Sequence, residues 1–594
     1  MAHSPAAPPP PGPERRLWVL SITIALICIG LSALAFYKDY EKEGRFEGRL
    51  ARVGESLYSS VELLSMHFPA SELPCAGTWE LSVLHWTRAL AVIAAGMAGA
   101  ALIGRFFGNE LLWRLRAFRG NHVVVCGLTR LGQGLIAEFS LAGHRVVAIP
   151  NVSDEVAAAT EAVQSGAAVL QTSPTTALHK ARVGRASYLF AATEDDQANI
   201  AIGLHAVELA RKDTPGAAQL HTLIHIADPQ LRASLRRRAA FRSSGAAPRI
   251  AMFNAFDNCA RLMLNNSPLD YIRIGPHEQR VVQIVLVGFG QLGEAVLTRA
   301  AMVGHYANLK RLRAIVIDRN AAEKSDRFRS RYPQFEHVCD LQFLHMDADE
   351  GSTRNRLSDL CNTHTAISTI AICFDSDSRA ISLALALTDR LSPDVPIRVR
   401  INAESGLKAL LRNSEFLRRL PSQITAFGSI RDACASKNWV DDDLDSMAKA
   451  LHRDYVRRAL ESGRARPGDE ATRPWEQLDD ELVDSNRQAA DHIFVKVRAL
   501  GYHPSRPRDH DPSGLVEEFN PQEVELLAKM EHRRWMAERY LGGWTYGPIR
   551  DIKERISPYL SDWDDIPIEI QDYDRDFARI VPGVLSLAGL EIHR

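Results

Sequence analysis

Four residues in the middle of the chain have the types and spacing of a turn that binds phosphate and ribose. Gly288, Gly290 and Gly293 directly follow an apolar run and open a helical segment. Glycines at these positions let the backbone approach a pyrophosphate at the N-terminus of the helix. Asp318 ends the next apolar run, where a carboxylate can accept hydrogen bonds from ribose hydroxyls. The motif predicts a site for NAD or a related adenine nucleotide. The alternative is a turn that serves only helix–strand packing.

Two further aspartates follow later apolar runs of the same unit. Asp347 lies in the segment 344–348, and Asp375 lies in the segment 374–378. Ligands of open parallel sheets bind beyond the carboxyl ends of the strands. Both carboxylates are therefore candidate nucleotide contacts beside Asp318.

An earlier segment repeats this pattern with two departures. Residues 121–149 read as strand, glycine turn, helix and strand, and the turn begins at Gly127. Thr129 stands where a glycine should let the backbone approach a pyrophosphate, and Pro150 stands where an acid should hold the ribose. The two turns begin 161 residues apart (288 − 127), which indicates an internal duplication. We therefore expect one high-affinity nucleotide site per chain, in the second copy.

The first copy carries a polar motif after a later strand, formed by Thr193, Asp195, Asp196 and Asn199. With this motif, residues 121–265 resemble the Trk-type NAD-binding domain, also called the regulator of potassium conductance. The resemblance implies a Rossmann-like parallel sheet that senses a nucleotide and a link to potassium transport. A second interpretation is compatible with it: Thr193 caps a helix, and the acids stabilise that helix's N-terminus.

The last part of the chain carries a second set of spaced motifs. These are EHRRWMA at 531–537, GWTYG at 543–547 and DYDRD at 572–576. Together they resemble the ryanodine-receptor repeat domain, RyR. Aromatic rings can stack a nucleobase and arginine can hold a phosphate. A candidate second ligand site therefore comprises Glu531, Trp535, Trp544, Tyr546 and Arg550. The alternative puts the tryptophans in the core and pairs Arg550 with Asp572 or Asp576.

Two apolar stretches near the N-terminus are candidate membrane spans; the second has 16 residues, which is short, but Leu84, Trp86, Phe106 and Phe107 extend it. Residues 17–36 contain no charge, and residues 89–104 lie between arginines and are rich in small residues. About 20 apolar residues cross a bilayer, and small residues allow close helix packing in lipid. A cleaved signal peptide and a buried soluble helix are the respective alternatives. Arginines at 15–16 and 105–119 predict that both termini are cytoplasmic and that the loop 37–85 is outside.

The outer loop contains a segment, 56–65, that resembles the pore helix of two-transmembrane potassium channels. A filter loop should follow such a helix, because its backbone carbonyls replace the ion's hydration shell. The family's filter reads Thr-Val-Gly-Tyr-Gly, whereas residues 66–70 here read MHFPA. The layout is channel-like without support for potassium selectivity, and an outer amphipathic helix with no role in conduction is the alternative.

Composition excludes several classes of function. The 594 residues carry 71 Lys and Arg against 72 Asp and Glu, a net charge of −1, which argues against nucleic-acid binding. The eight cysteines form no CxxC pair, so the sequence offers neither a zinc site nor a redox motif. It also offers no Ser-His-Asp order and no phosphate-loop lysine, and we expect no enzyme.

The sequence predicts an α/β protein with two transmembrane helices, two doubly wound Rossmann-like parallel-sheet domains and a mainly helical C-terminal domain. The expected bounds are 1–16 for a disordered tail, 17–107 for the membrane unit, 121–275 and 280–440 for the Trk-type domains, 441–474 for a connector and 475–594 for the RyR domain.

These features predict a multi-pass protein of the inner (plasma) membrane whose bulk is cytoplasmic. We expect a channel-like or signalling protein that nucleotides regulate, either for potassium-type ion transport or as a ligand-triggered membrane effector. Two helices cannot enclose a pore alone, so a homo-oligomer is expected, and the family resemblance favours a tetramer. The alternatives are an NAD-dependent membrane-anchored oxidoreductase and a non-conducting nucleotide-sensing scaffold.

Overall fold

The computed structural model describes most of the chain, in two compact units divided between Leu115 and Arg116. The described residues are 13–64, 77–151, 156–172, 174–213, 220–236, 238, 249–401, 423–434, 445–463, 465–506 and 514–594. Several expectations lie partly outside them, among them the tail before residue 13, the segment 65–76 after the pore-helix-like helix, the end of the second Trk-type domain at 435–440 and the acidic start of the connector at 441–443.

The first unit is built from helices. They are α1 (Pro13–Glu43), α2 (Arg49–Leu64) and α3 (Thr78–Arg119), of which α3 continues into the second unit. Two segments, Leu20–Glu43 and Leu81–Ala98, are long and apolar enough to cross a membrane by length and composition. Residues 56–64 of the pore-helix-like segment lie in α2, which contacts α1 through a 2.9 Å hydrogen bond between the hydroxyls of Tyr40 and Ser59.

The second unit contains two parallel six-stranded sheets with the same strand order. The first sheet has the order β3-β2-β1-β4-β5-β6. Its strands are β1 (Val123–Cys126), β2 (Val146–Ile149), β3 (Ala168–Val169), β4 (Tyr188–Ala191), β5 (His221–His225) and β6 (Arg249–Phe253). The second has the order β9-β8-β7-β10-β11-β12. Its strands are β7 (Val281–Val287), β8 (Leu312–Asp318), β9 (Cys339–His345), β10 (Ala366–Ile372), β11 (Ile397–Arg400) and β12 (Ile424–Phe427). The duplication inferred from the two glycine turns is therefore a duplication of whole sheets, the first and the second repeat.

Alternating side chains of β7 show that both faces of the second sheet are packed against other residues. In β7, Ile284 and Leu286 join one hydrophobic cluster, whereas Val285 and Val287 join another. Successive side chains of a strand point to opposite faces, so the second sheet is buried on both faces.

The helices of the two repeats are α4 (Arg130–Leu141), α5 (Val156–Gln164), α6 (Pro174–Lys180), α7 (Asp196–Asp213), α8 (Pro229–Arg236), α9 (Ala255–Asn266), α10 (Gln291–Val303), α11 (Ala321–Arg331), α12 (Gly351–Cys361), α13 (Asp377–Thr388) and α14 (Ile430–Ala433).

The C-terminal part is mainly helical and packs on the repeats. Its helices are α15 (Ser446–Glu461), α16 (Asp480–Ala499), α17 (Pro521–Leu541) and α18 (Ile568–Leu587), with short strands β13 (His503–Ser505), β14 (Thr545–Tyr546), β15 (Ile556–Ser557) and β16 (Glu591–His593). Arg261 of α9 binds Asp491 at 2.7 Å and Asp445 at 2.8 Å, which ties the first repeat to these helices. The expected fold class, with two doubly wound sheets and a helical C-terminal part, is confirmed.

Candidate functional site

A cleft of about 450 Å³ lies at the carboxyl edge of the second sheet. Of the residues predicted for the nucleotide site, Gly288, Gly290, Asp318 and Asp375 line it. It forms between the ends of β7, β8 and β10, because parallel strands bring their carboxyl ends to one edge. The strand order runs from β7 to β9 on one side and from β10 to β12 on the other, so it reverses between β7 and β10. Ligands of this topology usually bind at that point.

The glycine turn is shaped by two close approaches. Gly288 has a φ of +91°, and a Cβ there would lie 2.9 Å from the ring of Phe374. Gly293 does not line the cleft but packs against the backbone of the turn, since a Cβ there would lie 2.5 Å from the carbonyl oxygen of Gly288. Nothing lies within 4 Å of a Cβ at Gly290, so that position is open space.

This geometry predicts different results for two alanine substitutions. Gly293→Ala should destabilise the second repeat by about 1–3 kcal/mol, because its methyl group must displace the backbone of the turn. Gly290→Ala should leave the unfolding midpoint unchanged, since its methyl group enters the cleft. Thermal unfolding of the two variants beside the parent protein measures the difference. Equal midpoints for both variants would contradict the described packing.

Asp318 already accepts three hydrogen bonds. Its Oδ2 accepts from the backbone N–H of Phe289 at 2.8 Å and from the Lys324 ammonium at 2.7 Å. Its Oδ1 accepts from the backbone N–H of Asn320 at 2.9 Å. Burial alone would raise the pKa of Asp318, but Lys324 and the two amides outweigh it and hold the pKa below its usual value. The carboxylate is therefore charged at neutral pH, as a ribose acceptor must be.

Cationic residues that the sequence analysis did not single out surround the same cleft. Arg319 and Arg379 both line it, and Arg379 lies 4.3 Å from the centroid of the Phe374 ring. Arg319 binds Asp347 at 2.8 Å, so this predicted aspartate orients an arginine at the cleft. Asp375 binds Arg400 at 2.5 Å and keeps an 86% exposed side chain. The sequence positions of both arginines could have indicated this, because Arg319 directly follows Asp318 and Arg379 lies in the first turn of α13.

The corresponding turn of the first repeat is closed by its own side chain. The Thr129 hydroxyl donates to the carbonyl oxygen of Ala192 at 2.8 Å and accepts from the backbone N–H of Gly132 at 3.3 Å. Asn199, which is fully buried, binds both the backbone and the hydroxyl of Thr193. Thr193 and Asn199 of the motif thus fix a loop, while Asp195 and Asp196 face a different space.

That space is an inter-repeat cavity of about 570 Å³ between the two repeats and α16. The first repeat contributes a predominantly acidic wall, with Glu194, Asp195, Asp196, Asp228 and Asp257 against one cation, Arg232. The second repeat contributes a predominantly basic wall, with Arg299, Lys324, Arg327 and Arg331 against one acid, Glu294. Phe289, Gly290 and Lys324 line both this cavity and the cleft. The two spaces therefore share part of one wall.

The candidate RyR residues do not form one cluster. Glu531 is 4% exposed and binds Lys496 at 2.6 Å and Arg534 at 2.8 Å in the interior. Trp535 and Trp544 instead flank Arg539, whose guanidinium carbon lies 5.5 Å and 5.2 Å from their ring centroids. The i,i+4 spacing of Trp535 and Arg539 could have indicated this contact.

The remaining two residues of that candidate site lie at the surface. Tyr546 is 61% exposed, and Arg550 is exposed as well. Asp572 binds Arg575 and Asp576 binds Arg579, and the alternative pairing of Arg550 with either aspartate is not among the ion pairs of the described residues. In each pair the two partners are three residues apart on α18, a spacing that brings side chains together.

Two family matches agree with this architecture. The TrkA-N domain matches residues 123–239, and the RyR domain matches residues 507–594. The TrkA-N match covers the first repeat, and the RyR match includes all five candidate residues from Glu531 to Arg550. Both resemblances inferred from the sequence are confirmed.

Several solved structures are similar to this chain. GsuK bound to ADP has 18% identity and a TM-score of 0.37, covering 72% of this chain and 100% of that one. The GsuK channel bound to NAD has 15% identity and a TM-score of 0.38, covering 73% and 85%. The human SLO3 gating ring has 11% identity and a TM-score of 0.34, covering 55% and 83%.

Proposed function

We propose that this chain is a membrane protein whose second repeat binds an adenine nucleotide and thereby regulates the membrane helices. The observation that carries the proposal is the cleft beside β7, where an open glycine turn meets the charged carboxylate of Asp318. A turn of this kind receives a pyrophosphate, and an acid at the end of the next strand receives the ribose. Gly288, Gly290, Gly293, Asp318, Asp347 and Asp375 are its proposed residues.

The charges around the cleft favour a phosphorylated ligand. Arg319 and Arg379 line the cleft as side-chain cations, and guanidinium groups bind phosphate oxygens in bidentate geometry. The TrkA-N domain in the preceding repeat is consistent with a tandem regulatory module. The RyR domain adds a proposed second input, for which the Trp535–Arg539–Trp544 surface offers a stacking platform.

The proposed mechanism is linkage between the ligand and the membrane unit. A ligand that binds one arrangement of the two repeats more tightly shifts the population toward that arrangement. The segment 105–119, which is helical, connects the second apolar stretch to the first repeat and would carry the bias. We propose a homo-oligomer, with a tetramer favoured, in the plasma membrane with both termini cytoplasmic, acting in potassium-type ion transport or as a ligand-triggered membrane effector.

Full-length protein tests the proposal in two steps. Calorimetry with ADP and NAD measures whether one nucleotide binds per chain, and bilayer recordings with and without the nucleotide measure conduction. Nucleotide binding without conduction would support the alternative function, a non-conducting nucleotide-sensing scaffold. Turnover of NADH with a carbonyl compound would replace the proposal by the oxidoreductase.

The helix α3 offers a test of assembly. Nothing lies within 4 Å of a Cβ at Gly96, and the position is exposed, so the space beside it is open in the single chain. If small residues allow α3 to pack against another protomer, Gly96→Leu should reduce oligomer formation without unfolding the chain. Native mass spectrometry of the solubilised protein reports the change. An unaltered distribution of oligomers would exclude Gly96 from the interface.

A further inference from the structure

The carboxylate of Asp318 has too few open acceptor positions for a ribose. An ionised carboxylate offers about four lone-pair positions. Phe289, Asn320 and Lys324 occupy three of them. A ribose with both its 2′- and 3′-hydroxyls donates two hydrogen bonds, and therefore one of the present donors must leave.

Lys324 is the donor that can leave. The other two donors are backbone amides, fixed by the glycine turn and by the start of α11. The ammonium of Lys324 ends a flexible side chain that is 33% exposed, so water can replace the lost hydrogen bond. A diol therefore exchanges with Lys324 rather than with the turn.

The released ammonium borders a second space that carries acids. Lys324 lines the inter-repeat cavity as well as the cleft, and the opposite wall carries the exposed carboxylates of Glu194 and Asp195. Ion pairs already cross between the repeats, since Arg299 binds Asp257 at 2.6 Å and Arg331 lies 3.9 Å from Asp228. Once released from Asp318, the charge of Lys324 on the basic wall is no longer compensated, which strengthens the attraction between the repeats.

We propose that Lys324 is a ligand-operated switch that distinguishes nucleotides with an intact ribose diol and reports their binding to the first repeat. The inference rests on the proposed nucleotide site. A ligand with both hydroxyls displaces Lys324 from Asp318 and draws the repeats together. A 2′-deoxynucleotide, which donates one hydrogen bond, leaves Lys324 in place and the repeats as they were.

The experiment compares ADP with 2′-deoxy-ADP on full-length parent protein and on Lys324→Met. The attraction of an ammonium to the phosphates is the same for both ligands, so the ratio of their Kd values isolates the diol. Removing Lys324 frees its acceptor position, and the preference for ADP should rise about two- to fivefold, the value of a partly exposed ion pair. Lys310→Met is the control, since Lys310 binds Gln279 outside both cavities and should leave the ratio unchanged.

Hydrogen exchange of α7 and α8 provides the second measurement. Saturating ADP should slow exchange there in the parent protein and in Lys310→Met, but not in Lys324→Met, and 2′-deoxy-ADP should slow it in none. An unchanged Kd ratio in Lys324→Met, or equal protection by ADP with and without Lys324, overturns the switch. Failure of ADP and NAD to bind any of the three proteins would instead overturn the proposed nucleotide site itself.

Discussion

Replacing Asp318 by alanine should weaken the binding of ADP or NAD about ten- to a hundredfold. The substitution removes a charged acceptor for the ribose, and each such hydrogen bond contributes about 1.5–3 kcal/mol before water compensates. A loss of 1.4 kcal/mol is a tenfold loss of affinity. Calorimetry on the solubilised full-length protein measures the change.

Asp340→Ala is the matched control for this measurement. Asp340 lies near the start of the neighbouring strand β9, at the opposite edge of the sheet, and its side chain is 50% exposed beside Arg311. Its removal should leave the nucleotide Kd unchanged. Binding that survives Asp318→Ala but is lost on substitution of Thr193 or Asn199 would assign the site to the first repeat.

Glu531→Ala should destabilise the C-terminal domain by about 3–5 kcal/mol, the cost of breaking a buried ion pair. Burial raises the pKa of Glu531, but Arg534 and Lys496 outweigh this effect and hold its pKa below the usual value. The side chain of Lys496 is 0% exposed, so the variant leaves its ammonium without the carboxylate that compensates it. The expected result is a lower midpoint of thermal unfolding, and tryptophan fluorescence measures it.

Asp572→Ala separates this effect from the loss of any ion pair. Asp572 binds Arg575 on α18, and its side chain is 56% exposed. Exposed pairs contribute about 0–1 kcal/mol, so the midpoint should hardly move. Equal shifts of the unfolding midpoint in the two variants would show that the buried ion pairs of Glu531 stabilise the domain no more than an exposed pair does.

The sequence was sufficient for features that depend on neighbouring residues. The glycine turn and Asp318 each follow an apolar run, so the run predicts the strand and the next residues lie at its carboxyl end. The same reasoning explains why β7 (Val281–Val287) ends directly before the glycine turn and why α17 (Pro521–Leu541) begins after the capping residue Asn520. Local pattern and local chemistry agree there.

Features that depend on distant residues could not be predicted in this way. Glu531 and Trp535 share a helix face by spacing, yet Glu531 is bound by Lys496, 35 residues earlier on another helix. The inter-repeat cavity arises only because whole repeats pack together. Nothing in the spacing of Lys324 indicates that it lines two spaces, since the second is formed partly by the first repeat and by α16.

If the nucleotide binds only in the second repeat, as proposed, the first turn limits how steeply an oligomer can respond to that ligand. The Thr129 hydroxyl already makes two hydrogen bonds within the first turn, so on this proposal one of the two glycine turns in each chain receives a nucleotide. A Hill coefficient cannot exceed the number of interacting sites. For nucleotide binding at these turns, the number of chains therefore sets the upper bound on cooperativity, although each chain contains two copies of the fold.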